Sequence, residues 1–127
     1  MDQMLHLLLT RSEVAGGARI STDDIALWGG TLDKEVTDFF NRIGGVIAVA
    51  YQAGDVTYEF CDQLVTDLFG WLCTEPFDDP LRSWPHLFCE VLEAFDAGEY
   101  CRRPDKSDDP VSDFTNPAIA HIVAKLV

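Results

Sequence analysis

The chain has 127 residues, 47% of them hydrophobic, and its 22 acidic against 9 basic residues give a net charge of −13. This length predicts one domain, 1–127, with enough apolar residues for a single core. So acidic a chain repels nucleic acid and anionic lipid, and its longest apolar run, Val46 to Tyr51, is far shorter than the ~20 residues of a membrane span. We therefore expect no nucleic acid and no membrane as partner, and a basic protein instead.

The first element in chain order is an apolar segment whose members follow helical spacing: Met1, Met4, Leu5, Leu8 and Leu9. Its leucine run could equally form a short buried strand. No basic region precedes the run and no small-residue cleavage site follows it, so we expect no signal peptide, a cytoplasmic location and reduced cysteines. A short helix is predicted to begin at Ser21 or Thr22, where a hydroxyl caps free N–H groups, and to stop at Gly29-Gly30.

The predicted fold is organised around the stretch from Leu32 to Tyr51. Its first half is amphipathic, but from Gly44 onward it is apolar on every side, and a helix without a polar face must be surrounded by other elements. The Gly44-Gly45 pair is unfavourable inside a helix, at about 1 kcal/mol for each glycine. Close helix packing would explain the pair, and so would a break followed by a β-strand. We predict a continuous or kinked helix, with an α+β fold containing a short strand at 46–51 as the alternative.

Two more helices are predicted from apolar stripes at helical spacing. The stripes are Cys61, Leu64, Val65, Leu68, Phe69 and Leu72, and then Trp84, Leu87, Phe88, Val91, Leu92 and Phe95. The second of these helices is expected to begin at Ser83 and to end at Gly98. A loop or linker is predicted at 102–115, followed by a terminal helix at 117–127 that Asn116 caps. The predicted fold class is all-α, a single-domain bundle of five to six helices around a buried central helix.

The four cysteines show no metal-binding pattern. They are Cys61, Cys73, Cys89 and Cys101, separated by 12, 16 and 12 residues. Structural zinc sites usually pair cysteines two to four residues apart, so that one turn supplies two ligands. We interpret the cysteines as buried thiols that serve as small apolar residues, and we predict no metal and no cofactor.

One helix face carries groups that are capable of acid–base chemistry, namely His86, Glu90 and Glu93. A small enzyme that uses this face is one alternative function for the chain. A solvated helix face explains the same residues, and the sequence contains neither a nucleophile motif nor the Glu-x-x-His pairs of a di-iron bundle. We therefore predict no enzymatic activity. Another alternative is a helical regulatory domain that homodimerises.

Negative charge is concentrated in the middle of the sequence. Residues 43–101 contain eleven acids and a single cation, Arg82, a balance of −10. We expect exposed carboxylates from this region, together with neighbouring aromatic side chains, to bind a basic protein. The predicted partner-binding residues are Glu59, Asp62, Asp67, Trp71, Phe77, Asp78, Asp79, Glu90 and Glu93.

The last third of the chain resembles bacterial immunity proteins, which are encoded beside polymorphic or contact-dependent growth inhibition toxins. The resemblance lies in Phe95-Asp-Ala-Gly-Glu-Tyr100, Asp108-Asp109-Pro110 and Phe114-Thr-Asn-Pro-Ala-Ile119. It implies a cytoplasmic, acidic, non-enzymatic domain that covers the active site of one cognate toxin. For the chain itself we expect a monomer or a weak homodimer. Many such toxins are basic nucleases, and a basic toxin fits the charge of this chain.

Overall fold

A computed structural model describes residues 33–74 and 84–126 of the chain, with the backbone alone for residues 33–36, 71, 73 and 74. The described residues form four α-helices: α1 (Asp33–Gln52), α2 (Tyr58–Thr74), α3 (His86–Asp96) and α4 (Asn116–Leu126). Neither described range contains a strand, so an all-α architecture is confirmed for this part of the chain. The N-terminal apolar segment and the short helix expected after Ser21 lie outside the described residues, as does the segment 75–83.

Helix α1 runs without interruption through Gly44-Gly45, so the alternative of a β-strand at 46–51 is wrong. A Cβ atom built on Gly44 would lie 3.0 Å from the Cα atom of Phe88 in α3. The glycine thus lets two helix backbones approach closely, and the packing gained there offsets the low helix propensity of the pair. Of the two explanations for the glycine pair, close helix packing is confirmed.

The core lies where α1 and α3 pack against each other and against α2 and α4. Phe40, Phe88 and Phe95 are fully buried, and the rings of Phe40 and Phe88 meet edge to face with their centroids 5.1 Å apart. Such ring pairs add roughly 0.5–1.5 kcal/mol to the free energy of burial. The stripe predicted for α2 is buried from Cys61 to Leu72, with Phe69 half-buried. None of the described helices is long and apolar enough to cross a lipid bilayer.

Two predicted boundaries of the later helices are wrong. Helix α3 begins at His86 and not at Ser83, because Pro85 has an extended ψ of 82° and occupies the N-cap. Trp84 consequently leaves the helical stripe and is 39% exposed. The predicted loop at 102–115 is also too long, because Val111–Thr115 form a π-helical turn that continues directly into α4.

The π-turn is held by the residues at its start and end. The backbone N–H of Ser112 donates to the carboxylate of Asp109 at 3.3 Å, and Thr115 is fully buried and donates its hydroxyl to the carbonyl oxygen of Ala94 at 2.7 Å. Asn116 has helical dihedral angles, so it does not cap α4. Its side-chain oxygen instead accepts a hydrogen bond from Tyr51 at 2.6 Å.

Candidate functional site

Three carboxyl groups meet where the first half of α2 faces the end of α3. They belong to Asp62, Asp96 and Glu99, and their oxygens lie within 4.8 Å of one another. We call these three residues the acidic cluster. Asp62 is half-buried, whereas Asp96 and Glu99 are exposed. The cluster therefore lies at the surface, with one carboxyl group partly covered by the other two.

Packing between α2 and α3 brings these carboxyl groups together. Tyr58, at the start of α2, donates a hydrogen bond of 2.6 Å to the carbonyl oxygen of Phe95 in the last turn of α3. Gly98 lies beside this contact, and a Cβ atom there would be 2.9 Å from the Tyr58 hydroxyl and 2.5 Å from Oγ1 of Thr115. Only glycine fits this position without displacing both hydroxyl groups. The chain after α3 thus stays close to α2, which places Glu99 against Asp62.

Burial and the neighbouring negative charges both oppose ionisation within the cluster. Burial, a hydrogen bond to Glu99 and the negative charges of Glu99 and Asp96 raise the pKa of Asp62 to about 7. Burial, followed by the charges of Glu99 and Glu93, raises the pKa of Asp96 as well. The Oδ1 atom of Asp62 is buried and has no hydrogen-bond partner among the described residues. Near neutral pH the cluster therefore shares fewer than three full charges, and a nearby cation would let it ionise fully.

Within residues 33–74 and 84–126, no lysine or arginine forms an ion pair with the acidic cluster. Arg102 follows Glu99 by three residues in the sequence, but its Nη1 atom donates to the carbonyl oxygens of Ala97 and Tyr100 at 2.9 and 3.1 Å. Its guanidinium group also stacks on the rings of Phe114 and Tyr100, at 3.5 and 4.2 Å from their centroids. Arg102 therefore holds the loop together and forms no ion pair with the cluster.

The chemistry available to the acidic cluster is the binding of positive charge. Carboxylate oxygens suit hard divalent cations, but Ca²⁺ takes six to eight oxygen ligands, and the described residues here supply three carboxyl groups. Lysine and arginine side chains of another protein are the other group of cations that such a surface binds. The cluster has no nucleophile or imidazole among its members.

The nine predicted partner-binding residues are widely distributed. Glu59 is exposed, but Asp62 and Asp67 are half-buried and not exposed as expected, and Asp67 accepts a hydrogen bond from Gln63 at 3.0 Å. Glu93 is exposed beside the acidic cluster, where its charge reaches Asp96. Trp71 lies on α2 with its side chain undescribed. The structure does not describe Phe77, Asp78 and Asp79.

Asp96 and Glu99 were missed as site residues. Their spacing of three residues brings them close locally, because the chain turns after α3 and the backbone N–H of Glu99 donates to the carbonyl oxygen of Asp96 at 3.1 Å. Their proximity to Asp62, more than thirty residues earlier in the sequence, has no sequence signal at all. It depends on the contact of Tyr58 with the end of α3, which is a tertiary feature.

The face proposed for acid–base chemistry is solvated. His86, Glu90 and Glu93 are all exposed, and Glu90 accepts a hydrogen bond of 2.7 Å from Lys125 of α4. The cysteines behave in three different ways, so the interpretation of all four as buried thiols is wrong. Cys61 is in the core, where burial raises the pKa of its thiol to about 12, Cys89 is half-buried and Cys101 is exposed.

A second surface feature lies at the other end of α3. It is a cavity of about 640 Å³ along α1, which we call the apolar groove, and the residues that line it are Asn41, Arg42, Gly45, Val46, Val49, Ala50, Asp55, Leu87 and Leu126. Val49 and Leu126 are 48% and 43% exposed, which is unusual for large apolar side chains beside a core. The groove and the acidic cluster are therefore two separate surfaces with opposite chemistry.

The segments that resemble immunity proteins are neighbours in space. Thr115 of the last segment donates to the carbonyl oxygen preceding Phe95, and the backbone N–H of Arg102 donates to Asp108 of the middle segment at 2.8 Å. The side chain of Arg102 joins Tyr100 to Phe114. No protein-family model matches the chain, and comparisons with curated proteins and with solved structures find no match either.

Proposed function

We propose that this protein is an acidic cytoplasmic binding protein that neutralises a cognate basic toxin, a nuclease, by covering its active site. The observation that carries the proposal is the acidic cluster, in which three carboxyl groups share one surface without a cation from the described residues. Repulsion within the cluster costs free energy in the isolated protein, and cationic side chains of a partner relieve it. A nuclease active site supplies such side chains, because it binds phosphate groups.

The rest of the chain supports the same proposal. The balance of −10 over residues 43–101 attracts a positively charged protein over distances of about a Debye length. Glu59 on α2 and Glu93 on α3 are exposed as well and add negative charge to the two helices that carry the cluster. The resemblance to immunity proteins adds a cellular setting in which one acidic domain faces one basic toxin.

The test is to co-express the chain with the toxin domain encoded immediately upstream and to measure rescue of growth. Binding kinetics of the two purified proteins are then measured across a salt series. We expect association approaching ~10⁸ M⁻¹s⁻¹ at low salt and slowing as ions screen the charges. Asp96→Lys with Glu99→Lys should slow association at least about tenfold and weaken rescue, because the pair reverses the sign of the cluster.

The matched control is Asp38→Lys with Asp113→Lys, which changes the net charge equally at two exposed positions outside the cluster. It should slow association much less. Asp96→Asn with Glu99→Gln keeps the shapes of the side chains and should give an intermediate effect even if the lysine pair folds poorly. Failure to rescue, or equal effects of the cluster and control pairs, would show that the acidity serves solubility alone.

The enzyme alternative can be tested by substitution on the helix face that carries His86. His86→Ala should leave rescue and binding unchanged, since the imidazole is solvated and His86 is not among the predicted partner-binding residues. A hydrolytic activity of the purified protein that His86→Ala removes would put the enzyme alternative in place of the binding function.

A further inference from the structure

The apolar groove exposes large side chains beside a tightly packed core. Its floor is Gly45, which has no side chain, so that Leu126 lies 3.4 Å from the position a Cβ atom would take. Its walls are Leu87 on one side and Val46 and Val49 on the other. Covering this surface would remove several half-exposed aliphatic side chains from water, at a gain of about 25 cal/mol for each Å².

Two opposite charges mark the ends of the groove. Arg42 lies at one end and Asp55 at the other, and both are exposed. Arg42 lies 5.7 Å from the ring centroid of Phe39, and neither Arg42 nor Asp55 forms an ion pair with a described residue. Along α1, the distance from Arg42 to the end of the helix at Gln52 is roughly 15 Å at 1.5 Å per residue. The groove is thus an apolar strip with a cation at one end and an anion at the other.

We propose that the apolar groove is the interface of a homodimer, in which the α1 helices of two copies pack antiparallel across a two-fold axis near Val46 and Val49. A two-fold interface must be self-complementary, because the same patch serves both partners. Antiparallel packing places Arg42 of each copy opposite Asp55 of the other, so the dimer gains two ion pairs. Val49 of each copy then packs against Val46 of the other, since both side chains line the groove.

The charge pattern favours a second copy over a basic partner in this groove. A basic surface would meet Arg42 and the nearby Lys125 as well as Asp55 and Glu90, so it would gain little electrostatic free energy there. A second copy packed antiparallel places a charge of opposite sign against each of the two charges at the ends of the groove. The dimer leaves both acidic clusters free, because the clusters lie at the far end of α3.

Salt distinguishes this interface from the one proposed for the toxin. Each copy carries a charge of −13, so screening weakens the repulsion between copies more than it weakens two exposed ion pairs at the rim. Dimerisation should therefore become tighter as salt rises, whereas toxin binding becomes weaker. The two results come from separate measurements, and either can fail alone.

The test is sedimentation velocity of the full-length protein over a concentration series at low and high salt. We expect a reversible monomer–dimer equilibrium whose dissociation constant falls with added salt. Val49→Asp should raise that constant at least about 30-fold, because it puts a charge at the centre of the interface. Ala120→Asp adds the same charge at an exposed position of α4 outside the groove and should leave dimerisation nearly unchanged.

A charge swap identifies the antiparallel arrangement. Arg42→Glu alone and Asp55→Arg alone should each weaken the dimer about tenfold or less, as rim pairs do, and the double variant should restore it. A protein that is monomeric at every protein and salt concentration overturns the proposal. A dimer whose dissociation constant is unchanged by Val49→Asp overturns it as well. A monomer that Val49→Asp unfolds would show that the same chain covers the groove, which also overturns it.

Discussion

The protein surface differs in chemistry between the two ends of α3. At its C-terminal end the acidic cluster concentrates like charges, while the apolar groove at its N-terminal end leaves aliphatic side chains exposed between two opposite charges. The two regions are separated by the ~14 Å that nine residues of helix span. Repulsion among the carboxyl groups at the C-terminal end favours binding of a positively charged partner. The self-complementary charges of the apolar groove at the N-terminal end favour binding of an identical copy. The surface proposed for the toxin and the surface proposed for the dimer thus lie near opposite ends of one short helix.

The same substitution should have very different effects in the two regions. Gly98→Ala, beside the acidic cluster, should destabilise the protein by about 2–4 kcal/mol, because its Cβ atom would displace the hydroxyl groups of Tyr58 and Thr115 from their hydrogen bonds. Gly45→Ala, in the apolar groove, should change stability by less than about 1 kcal/mol or increase it, because its Cβ atom meets only ordinary side-chain contacts and alanine favours helix. Urea denaturation of both variants measures the difference. Equal losses of stability would mean that the packing around Gly98 is looser than described.

The second prediction concerns the pH dependence that the acidic cluster creates. The folded-state pKa of Asp62, about 7, lies above that of an unfolded aspartate, ~3.9, so the folded protein binds the proton more tightly. The stability that this proton contributes is complete below about pH 4 and is lost as the pH rises through about 7. Asp62→Asn keeps a group that can donate to Glu99, and it should remove this loss. Asp96 and Glu99 face Asp62 across the contact, and Tyr58 lies one turn before it on α2.

Thermal unfolding of Asp62→Asn and wild type at several pH values tests this prediction. The variant should melt about 4 °C higher at pH 8, the shift that ~1 kcal/mol produces in a domain of this size, and at the wild-type temperature near pH 4. We take ~1 kcal/mol because solvent screens much of the repulsion at a half-buried carboxyl group. Asp113→Asn, at an exposed position, is the matched control and should follow wild type. A variant less stable than wild type at pH 8 would contradict the repulsion.

The smallest effect is expected at the ion pair of Lys125 with Glu90, near the groove. Both side chains are nearly half exposed, at 46% and 45%, and exposed pairs contribute little. Lys125→Ala should therefore cost at most about 0.5 kcal/mol in urea denaturation. A loss above ~1 kcal/mol would mean that water screens the charges beside the groove less than their exposure indicates.

Apolar periodicity was sufficient to predict the helices of the described region. The stripe from Cys61 to Leu72 and the apolar face of α3 from Phe88 to Phe95 are buried as their spacing indicates. The glycine pair in α1 was ambiguous in sequence, because propensity opposes a helix there and only the closeness of Phe88 explains it. The π-turn after Pro110 was missed, since nothing local reveals that Thr115 bonds to Ala94.

The candidate site was harder to predict than the fold. The distribution of charge in the sequence predicted the acidic character of the site and two residues of this region, Asp62 and Glu93. It also assigned the site to residues on two helices and a loop. The actual cluster depends on which acids lie at the α2–α3 contact, and helical periodicity carries no information about the ends of neighbouring helices. The same limit hid the apolar groove, because Val49 and Leu126 belong to apolar faces that periodicity assigns to the core.

The most direct test of repulsion within the acidic cluster is a pH titration of the Asp62 carboxyl carbon by NMR. Partial burial, together with the hydrogen bond to Glu99 and the charges of Glu99 and Asp96, predicts a pKa of about 7 for Asp62 in the free protein. Replacing Asp96 and Glu99 by asparagine and glutamine should lower that pKa, because the two neighbouring charges are then absent. An Asp62 that titrates near the ordinary value of ~3.9 in the free protein would contradict the account, since the cluster would then hold three full charges without strain.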